Sequence, residues 1–150
     1  MGECATPAPT VEEALEAELA LDFEDAVMQV QLEHEFAGFE TVAVTRLDEF
    51  VAGVLEEEIE RTALIVMCHA EIARNALAID PSLAGLLPCT TVVSERPDGR
   101  VRAYHASTTK ALRDLGFAPA NAEPEVAALV ELTGELMTEV WENVEEYAGS

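Results

Sequence analysis

Four side chains in the middle of the sequence combine thiol and imidazole chemistry: Cys68, His69, Cys89 and His105. Thiolate and imidazole are ligands that zinc and other borderline metals prefer, so Cys68, Cys89 and His105 could hold a zinc ion. The same four residues could instead line the binding site of a small ligand. Structural zinc sites normally contain a closely spaced pair such as Cys-x-x-Cys, and this sequence has none. Packing of the cysteines as small apolar residues is therefore the competing interpretation.

A predicted hairpin brings one of these histidines toward one of the cysteines. The segment Pro97-Asp98-Gly99 separates two strand-like stretches and is typical of a turn whose glycine is left-handed. If the two residues that flank this turn pair with each other, Thr91 faces His105. Because side chains alternate along a strand, Cys89 then lies on the same face of the sheet.

A reactive thiol is the second chemical hypothesis. Cys68 stands just ahead of a predicted helix whose dipole would lower its pKa, and Cys89 could be activated by His105. Cys68 and His69 point to opposite faces while both belong to a strand, so they are not expected to act together. The sequence identifies no third group that would orient a histidine base, and whether the protein is an enzyme stays open.

Hydrophobic periodicity divides residues 14–150, predicted to form one domain, into helices and strands. The first segment, 15–21, is ambiguous: Thr10 and Glu13 resemble a capping box, whereas the leucines alternate as in a strand. A helix is predicted between Asp22 as cap and Gly38 as terminator. The remaining elements are strands at 39–45, 62–68, 90–95 and 100–105, helices at 47–55 and 70–79, and a long C-terminal helix from Pro124.

The charge of the chain is far from balanced. Thirty Asp and Glu face eight Lys and Arg, which gives a net charge of −22 in 150 residues. Such a charge opposes compaction unless salt screens it, so we expect a protein adapted to a concentrated-salt interior. Nucleic-acid binding needs a basic surface, and this composition excludes that class of partner.

The sequence also predicts a cytoplasmic location. It shows no apolar stretch long enough to cross a membrane and no secretory signal, and residues 1–13 are predicted to be a flexible acidic lead. Three cysteines, the first of them Cys4, form an odd number that favours reduced thiols over a disulfide framework.

Several motifs resemble the family known as domain of unknown function 302. They are Leu21-Asp22-Phe23-Glu24-Asp25-Ala26, Gly38-Phe39, Cys68-His69 with Ala73 and Ala76-Leu77, and Leu86-Leu87-Pro88-Cys89-Thr90-Thr91-Val92-Val93 with Asp98-Gly99. The resemblance covers roughly residues 15–140, and His69 stands where the family more often has Asn. It implies a strand at the ambiguous first segment and a small domain that often forms dimers. It implies no established activity.

The fold we predict is α+β, with two layers: a curved, mostly antiparallel sheet of about five strands, packed by helices that include the long C-terminal one. The leading functional hypothesis is a non-enzymatic binding or accessory protein, with a ligand or metal beside Cys68, Cys89 and His105. The alternatives are a thiol-dependent enzyme or redox protein, and an interaction module that works through the C-terminal helix. A homodimer is the expected assembly, because the apolar stripe of that helix could be either a core face or a dimer seam.

Overall fold

Five strands and five α-helices build the part of the chain that the computed structural model describes, residues 14–116 and 119–148. The predicted lead at 1–13, with Cys4, lies outside these residues. Three short 3-10 turns occur at Pro81–Leu86, Ala120–Ala122 and Glu145–Tyr147. In chain order the elements are β1 (Leu15–Leu19), α1 (Phe23–Phe36), β2 (Phe39–Arg46), α2 (Leu47–Leu55), β3 (Thr62–His69), α3 (Ala70–Ile79), β4 (Cys89–Glu95), β5 (Val101–His105), α4 (Thr108–Asp114) and α5 (Glu123–Val144).

The strands form one sheet in the order β1-β5-β4-β3-β2, and every neighbouring pair is antiparallel. The α+β prediction is therefore confirmed, including the long C-terminal helix. The ambiguous first segment is a strand because it pairs along its whole length with β5, where Leu15 lies opposite His105 and Leu19 opposite Val101. Tertiary pairing has overridden the local helix signal of the capping box.

Both ends of α1 follow the predicted signals. The Asp22 side chain accepts a hydrogen bond from the backbone N–H of Asp25 at 3.0 Å. At the other end, Gly38 has a φ of +98°, a conformation that few other residues adopt. A Cβ at this glycine would lie 3.1 Å from His69 Nε2, so the turn also leaves room for that ring.

The β4–β5 hairpin has the predicted register. Arg96 N–H donates to the carbonyl of Arg100 at 2.7 Å across the turn, and Gly99 has a φ of +86°. Thr91 consequently lies opposite His105. This pairing is what places the candidate site, because Thr91 and His105 are both buried under the helices.

The sheet has two unlike faces. Buried residues alternate with half-buried ones along β3, β4 and β5, which shows that the helices cover one face only. We call the covered side the helix face. The opposite side, which we call the open face, carries Leu64, Val66, Val92 and Tyr104 at its centre, all half-buried.

The apolar stripe of α5 packs into the chain's own core. Its buried members are Val126, Leu129, Val130, Thr133, Met137, Val140, Trp141 and Val144. The stripe therefore acts as a core face, which was the first of the two interpretations of its sequence pattern. No helix among the described residues is long and apolar enough to cross a membrane.

Candidate ligand-binding site

A threonine hydroxyl links two buried histidines from different elements. His34, in the last turn of α1, lies with Nε2 2.9 Å from Thr91 Oγ1 on β4. The same oxygen is 2.9 Å from His105 Nδ1 on β5. On its other side, His34 Nδ1 is 2.8 Å from the carbonyl oxygen of Val30, one helical turn earlier. The result is a continuous hydrogen-bonded chain from a backbone carbonyl to His105.

The carbonyl at one end fixes the direction of every hydrogen bond in this chain. A carbonyl only accepts, so His34 Nδ1 donates to Val30, and Nε2 of the neutral ring accepts from the Thr91 hydroxyl. The Thr91 oxygen is then free to accept from His105 Nδ1. This assignment follows from the hydrogen-bond network and leaves the lone pair on His105 Nε2, which can only accept.

Burial holds both rings in the neutral form. It is the main reason that the pKa of His105 falls to about 4; the neighbouring His34 lowers it further and a hydrogen bond with the backbone of Thr90 opposes the shift. Burial also lowers the pKa of His34, partly offset by its bond to Val30. At neutral pH the tautomers derived above therefore apply.

His105 Nε2 has no hydrogen-bond partner, although the side chain is only 2% exposed. It is one of two such buried side-chain atoms among the described residues, the other being Trp141 Nε1. An unpaired polar group at such depth costs free energy, on the order of 1–3 kcal/mol, unless something outside the chain pairs with it.

His105 borders a cavity of about 50 Å³ where the end of β5, the start of α4 and the middle of α5 meet. Its buried walls are His105, Thr133 and Met137, and the half-buried residues Leu15, Ser107, Lys110 and Gly134 lie closer to solvent. A Cβ at Gly134 would meet nothing within 4 Å, so this lining position has room for a side chain.

Two residues with hydroxyl groups and one lysine line the cavity. Ser107 caps α4 by accepting from the backbone N–H of Lys110 at 3.2 Å. Thr133 donates its proton to the carbonyl of Leu129 at 2.9 Å, so its oxygen keeps its capacity to accept. Lys110 is the one lysine in the sequence. The pKa of Asp114, one turn further along α4, is lowered mainly by its hydrogen bond with Arg113 and additionally by the charge of Lys110.

The two described cysteines lie on different faces of the sheet. Cys89 is opposite Met67 on the helix face and 4% exposed, whereas Cys68, the neighbour of Met67, points to the open face. Cys89 Sγ lies 3.5 Å from Thr108 Oγ1. Burial raises the pKa of the Cys89 thiol, with a smaller effect in the same direction from Cys68. The sheet thus separates Cys68 from Cys89 and His105, which share the helix face.

His69 has a local structural role. Its Nδ1 accepts from the backbone N–H of Glu71 at 3.3 Å and so caps α3, a position that favours asparagine among other residues. Its ring packs edge-on against Phe39, with centroids 5.2 Å apart. His69 therefore offers an acceptor to the start of α3, as an asparagine at this capping position would.

Among the described residues, no three His, Cys, Asp or Glu side chains lie close enough together to hold a metal ion. Of the four residues that the sequence singled out, His105 lines this cavity, and Cys68, His69 and Cys89 do not. The sequence gave only weak signals for other residues that line this cavity: Ser107, Lys110, Thr133 and Gly134 belong to no motif. His34, which belongs to none of the sequence motifs above, is hydrogen-bonded and buried, being 1% exposed.

Comparison with known proteins identifies a family and a fold. The profile of the family described as "Domain of unknown function DUF302" matches residues 15–142. No curated protein matches the chain. The crystal structure of an uncharacterized conserved DUF302 protein from Bacillus stearothermophilus superposes with a TM-score of 0.71 at 12% sequence identity. That match covers 85% of this chain and 94% of the other, so it shows a shared fold. With most of its length matched by the profile, the chain belongs to the DUF302 family.

Proposed function

We propose that this domain is a non-enzymatic binding protein that takes a small molecule into the cavity at His105. The observation that carries the proposal is the unpaired Nε2 of His105, a buried acceptor of fixed direction on a residue that lines a cavity. Ligand sites combine a mostly apolar wall with a few convergent polar groups, and Leu15, Met137 and Gly134 supply the apolar part here.

Zinc binding and thiol chemistry have less support from the geometry. A zinc ion at His105 would need further ligands, and the sheet separates Cys68 from that side. Lys110 is among the residues that line the cavity, and a cationic residue there disfavours a metal ion. A thiol nucleophile needs a lowered pKa, whereas burial raises that of Cys89.

Nitrogen NMR of the histidine rings tests the proposal. The signal of His105 Nε2 should lie in the range of an unprotonated ring nitrogen, and a hydrogen-bond donor that enters the cavity should shift it saturably. Ethylene glycol, glycolate and methylammonium serve as probes, and the ring of His69 is the internal reference. The proposal fails if none of the three probes shifts the His105 signal at concentrations below those that begin to shift the His69 signal. In that case water alone fills the cavity.

A second candidate role is self-association through the open face. This face presents the apolar side chains Leu64, Val66 and Val92 at its centre, with charged residues such as Glu16 and Arg102 toward β1. Five strands about 4.8 Å apart, each five to eight residues long, make a face of roughly 24 Å by 20 Å. Because protruding side chains add to this flat area, the face can supply most of the roughly 800 Å² of accessible surface that each partner buries in a stable protein–protein interface. A second copy of the chain is the occupant we propose.

Sedimentation in molar KCl tests this assembly with two matched substitutions. Val92→Asp places a charge at the centre of the open face and should convert a dimer to a monomer. Val42→Asp places the same charge at the edge strand β2, where the side chain is 59% exposed, and should leave the dimer intact. A monomeric wild type, or a dimer that only Val42→Asp disrupts, would refute the open-face interface. Circular dichroism checks that both variants are folded.

A further inference from the structure

The apolar side of α2 is left uncovered by the described residues. None of the residues of this helix is buried, and three of its apolar side chains lie mostly in solvent: Phe50 is 63% exposed, Val54 65% and Leu55 60%. Because residues three and four apart share one side of a helix, Phe50 and Val54 form a continuous stripe with the half-buried Leu47 and Val51. An exposed apolar stripe of this kind marks a surface that packs against another molecule.

The segment that follows α2 is acidic. It carries four exposed carboxylates, those of Glu56, Glu57, Glu58 and Glu60. No cation among the described residues pairs with any of them. The first three stand at the C-terminal end of the helix, where its dipole is negative and disfavours anions. A positively charged partner would therefore be stabilised at this end of α2.

We propose that α2 and the acidic segment 56–60 bind an amphipathic helix of another protein, with an apolar side and a basic rim. The apolar side of such a helix covers Phe50 and Val54, and its Lys and Arg side chains pair with the carboxylates. A second copy of this chain is a poorer occupant of the surface, because it brings the same carboxylates to the same place. The proposal depends neither on the cavity at His105 nor on the open-face dimer.

The size of this surface predicts a weak complex. The exposed apolar side chains of α2, together with that of Ile59, present on the order of 400 Å² of apolar area. That is about half of the surface that each partner buries in a stable complex, so we expect a transient one. An open hollow of about 440 Å³ lies next to Glu58, Ile59, Glu60 and Thr62, and it has room for a long basic side chain of the partner.

Two designed peptides test the charge of the partner. The first is a helix of about 14 residues made of leucine and lysine, with the leucines at helical spacing, and the second has glutamate in place of lysine. In calorimetry the lysine peptide should bind one-to-one with micromolar affinity, and the glutamate peptide should not bind. Because salt screens charge pairs, the measurement uses the lowest KCl concentration at which circular dichroism shows a folded chain. Equal binding of the two peptides, or binding of neither, would overturn the proposal.

Matched substitutions of phenylalanine locate the interface. Phe50→Ser should weaken the lysine peptide at least about tenfold, because aromatic anchors contribute most of the binding energy of an interface. Phe36→Ser removes a phenylalanine that is 76% exposed on α1 and should leave the affinity unchanged. If the two variants bind the lysine peptide equally well, net charge alone holds the peptide and the proposed surface is wrong.

A second matched pair tests the carboxylates. Glu57→Gln combined with Glu58→Gln should weaken the lysine peptide at least about threefold. Glu131→Gln combined with Glu135→Gln removes the same charge from exposed positions on α5 and should have a smaller effect. Equal effects of the two pairs would contradict a contact at segment 56–60.

Sedimentation of the Phe50→Ser variant distinguishes the other occupant. We expect the same oligomeric state as in the wild type. A wild-type dimer that Phe50→Ser converts to a monomer would show that a second copy covers α2, and would overturn the proposal of a basic partner.

Discussion

His34 and His105 share a single hydroxyl, that of Thr91, although they lie 71 residues apart and belong to a helix and a strand. Their ring centroids are 6.5 Å apart. In His105, Nδ1 is hydrogen-bonded to this hydroxyl, whereas Nε2 has no partner. The hydrogen bond that Nδ1 makes decides what Nε2 can do.

Removing the shared hydroxyl should be costly. Thr91→Val keeps the branched shape but leaves His34 Nε2 and His105 Nδ1 without a partner in a buried place, so we expect a loss of about 2–3 kcal/mol in unfolding free energy. Thr90→Val, the neighbouring position on the half-buried open face, is the matched control and should cost less than about 1 kcal/mol. Denaturant melts of both variants measure the difference, and equal losses would contradict the role of the hydroxyl.

The stability should decrease as the pH falls through the range of the histidines. Above pH 6.5 the ring of His105 is neutral in the folded and in the unfolded protein. Below pH 6.5 this ring takes up a proton in the unfolded chain, whereas in the folded protein it does so only near pH 4. Acid therefore favours the unfolded state, by up to about 3 kcal/mol from this group. His34 adds to the effect, because burial also lowers its pKa.

His105→Gln provides the comparison for this pH dependence, because glutamine stays neutral and can still bond to Thr91. Its unfolding free energy should change less than that of the wild type between pH 6.5 and 4.5. At lower pH both proteins should lose stability together, since carboxylates such as Asp48, with a pKa lowered to about 2 by Arg46, then take up protons. Parallel curves down to pH 4.5 would show that burial of His105 is not the cause.

The thiols should differ in reactivity. Cys89 is 4% exposed and its pKa is raised, so iodoacetamide should modify it at least about tenfold more slowly in the folded protein than in urea. Cys68, half-buried on the open face, should react faster than Cys89. Peptide mass spectrometry after timed quenching gives each rate separately. A Cys89 that reacts faster folded than unfolded would support the thiol-enzyme hypothesis.

Salt should stabilise the chain strongly. Few of the carboxylates are matched by arginines, and the pairs that do form, such as Arg61 with Glu95 at 2.9 Å, lie at or near the surface. Raising KCl from about 0.1 M to about 1 M shortens the Debye length from about 10 Å to about 3 Å and should raise the melting temperature. Sucrose controls for non-ionic effects. A melting temperature that does not rise with KCl would contradict the expected adaptation to a salt-rich interior.

The sequence predicted the fold well because the residues that begin and end its helices and turns act locally. Asp22, Gly38 and the turn at 97–99 each act within a few residues, and each occurs where its chemistry requires. The hairpin register also followed from a local turn, which placed Thr91 opposite His105. The helix α4 was not predicted, since seven residues with a single Ser107 cap give too short a pattern.

The candidate site was predicted only in part because it is assembled from distant elements. The search for cysteine and histidine ligands identified His105 but placed it in one group with Cys68. Because side chains alternate along β3, Cys68 lies on the open face, away from His105. Thr133 and Gly134 come together with His105 only when α5 packs near the end of β5, and no spacing in the sequence indicates that contact. Side chains that line a cavity through packing leave little local signal.

The most direct test of the proposed site adds bulk at the cavity without removing any polar group. Gly134→Ala adds a methyl group at a residue that lines the cavity and, as a change inside a helix, should stabilise the fold by up to about 1 kcal/mol. Gly53→Ala, in the interior of α2 and also facing open space, should stabilise the protein similarly. The measurement is the binding of ethylene glycol, glycolate and methylammonium, followed by the His105 ring nitrogen signals in the wild type and both variants. We predict binding lost or at least about tenfold weaker in Gly134→Ala and unchanged in Gly53→Ala; full binding in a stable Gly134→Ala would contradict a ligand site in this cavity.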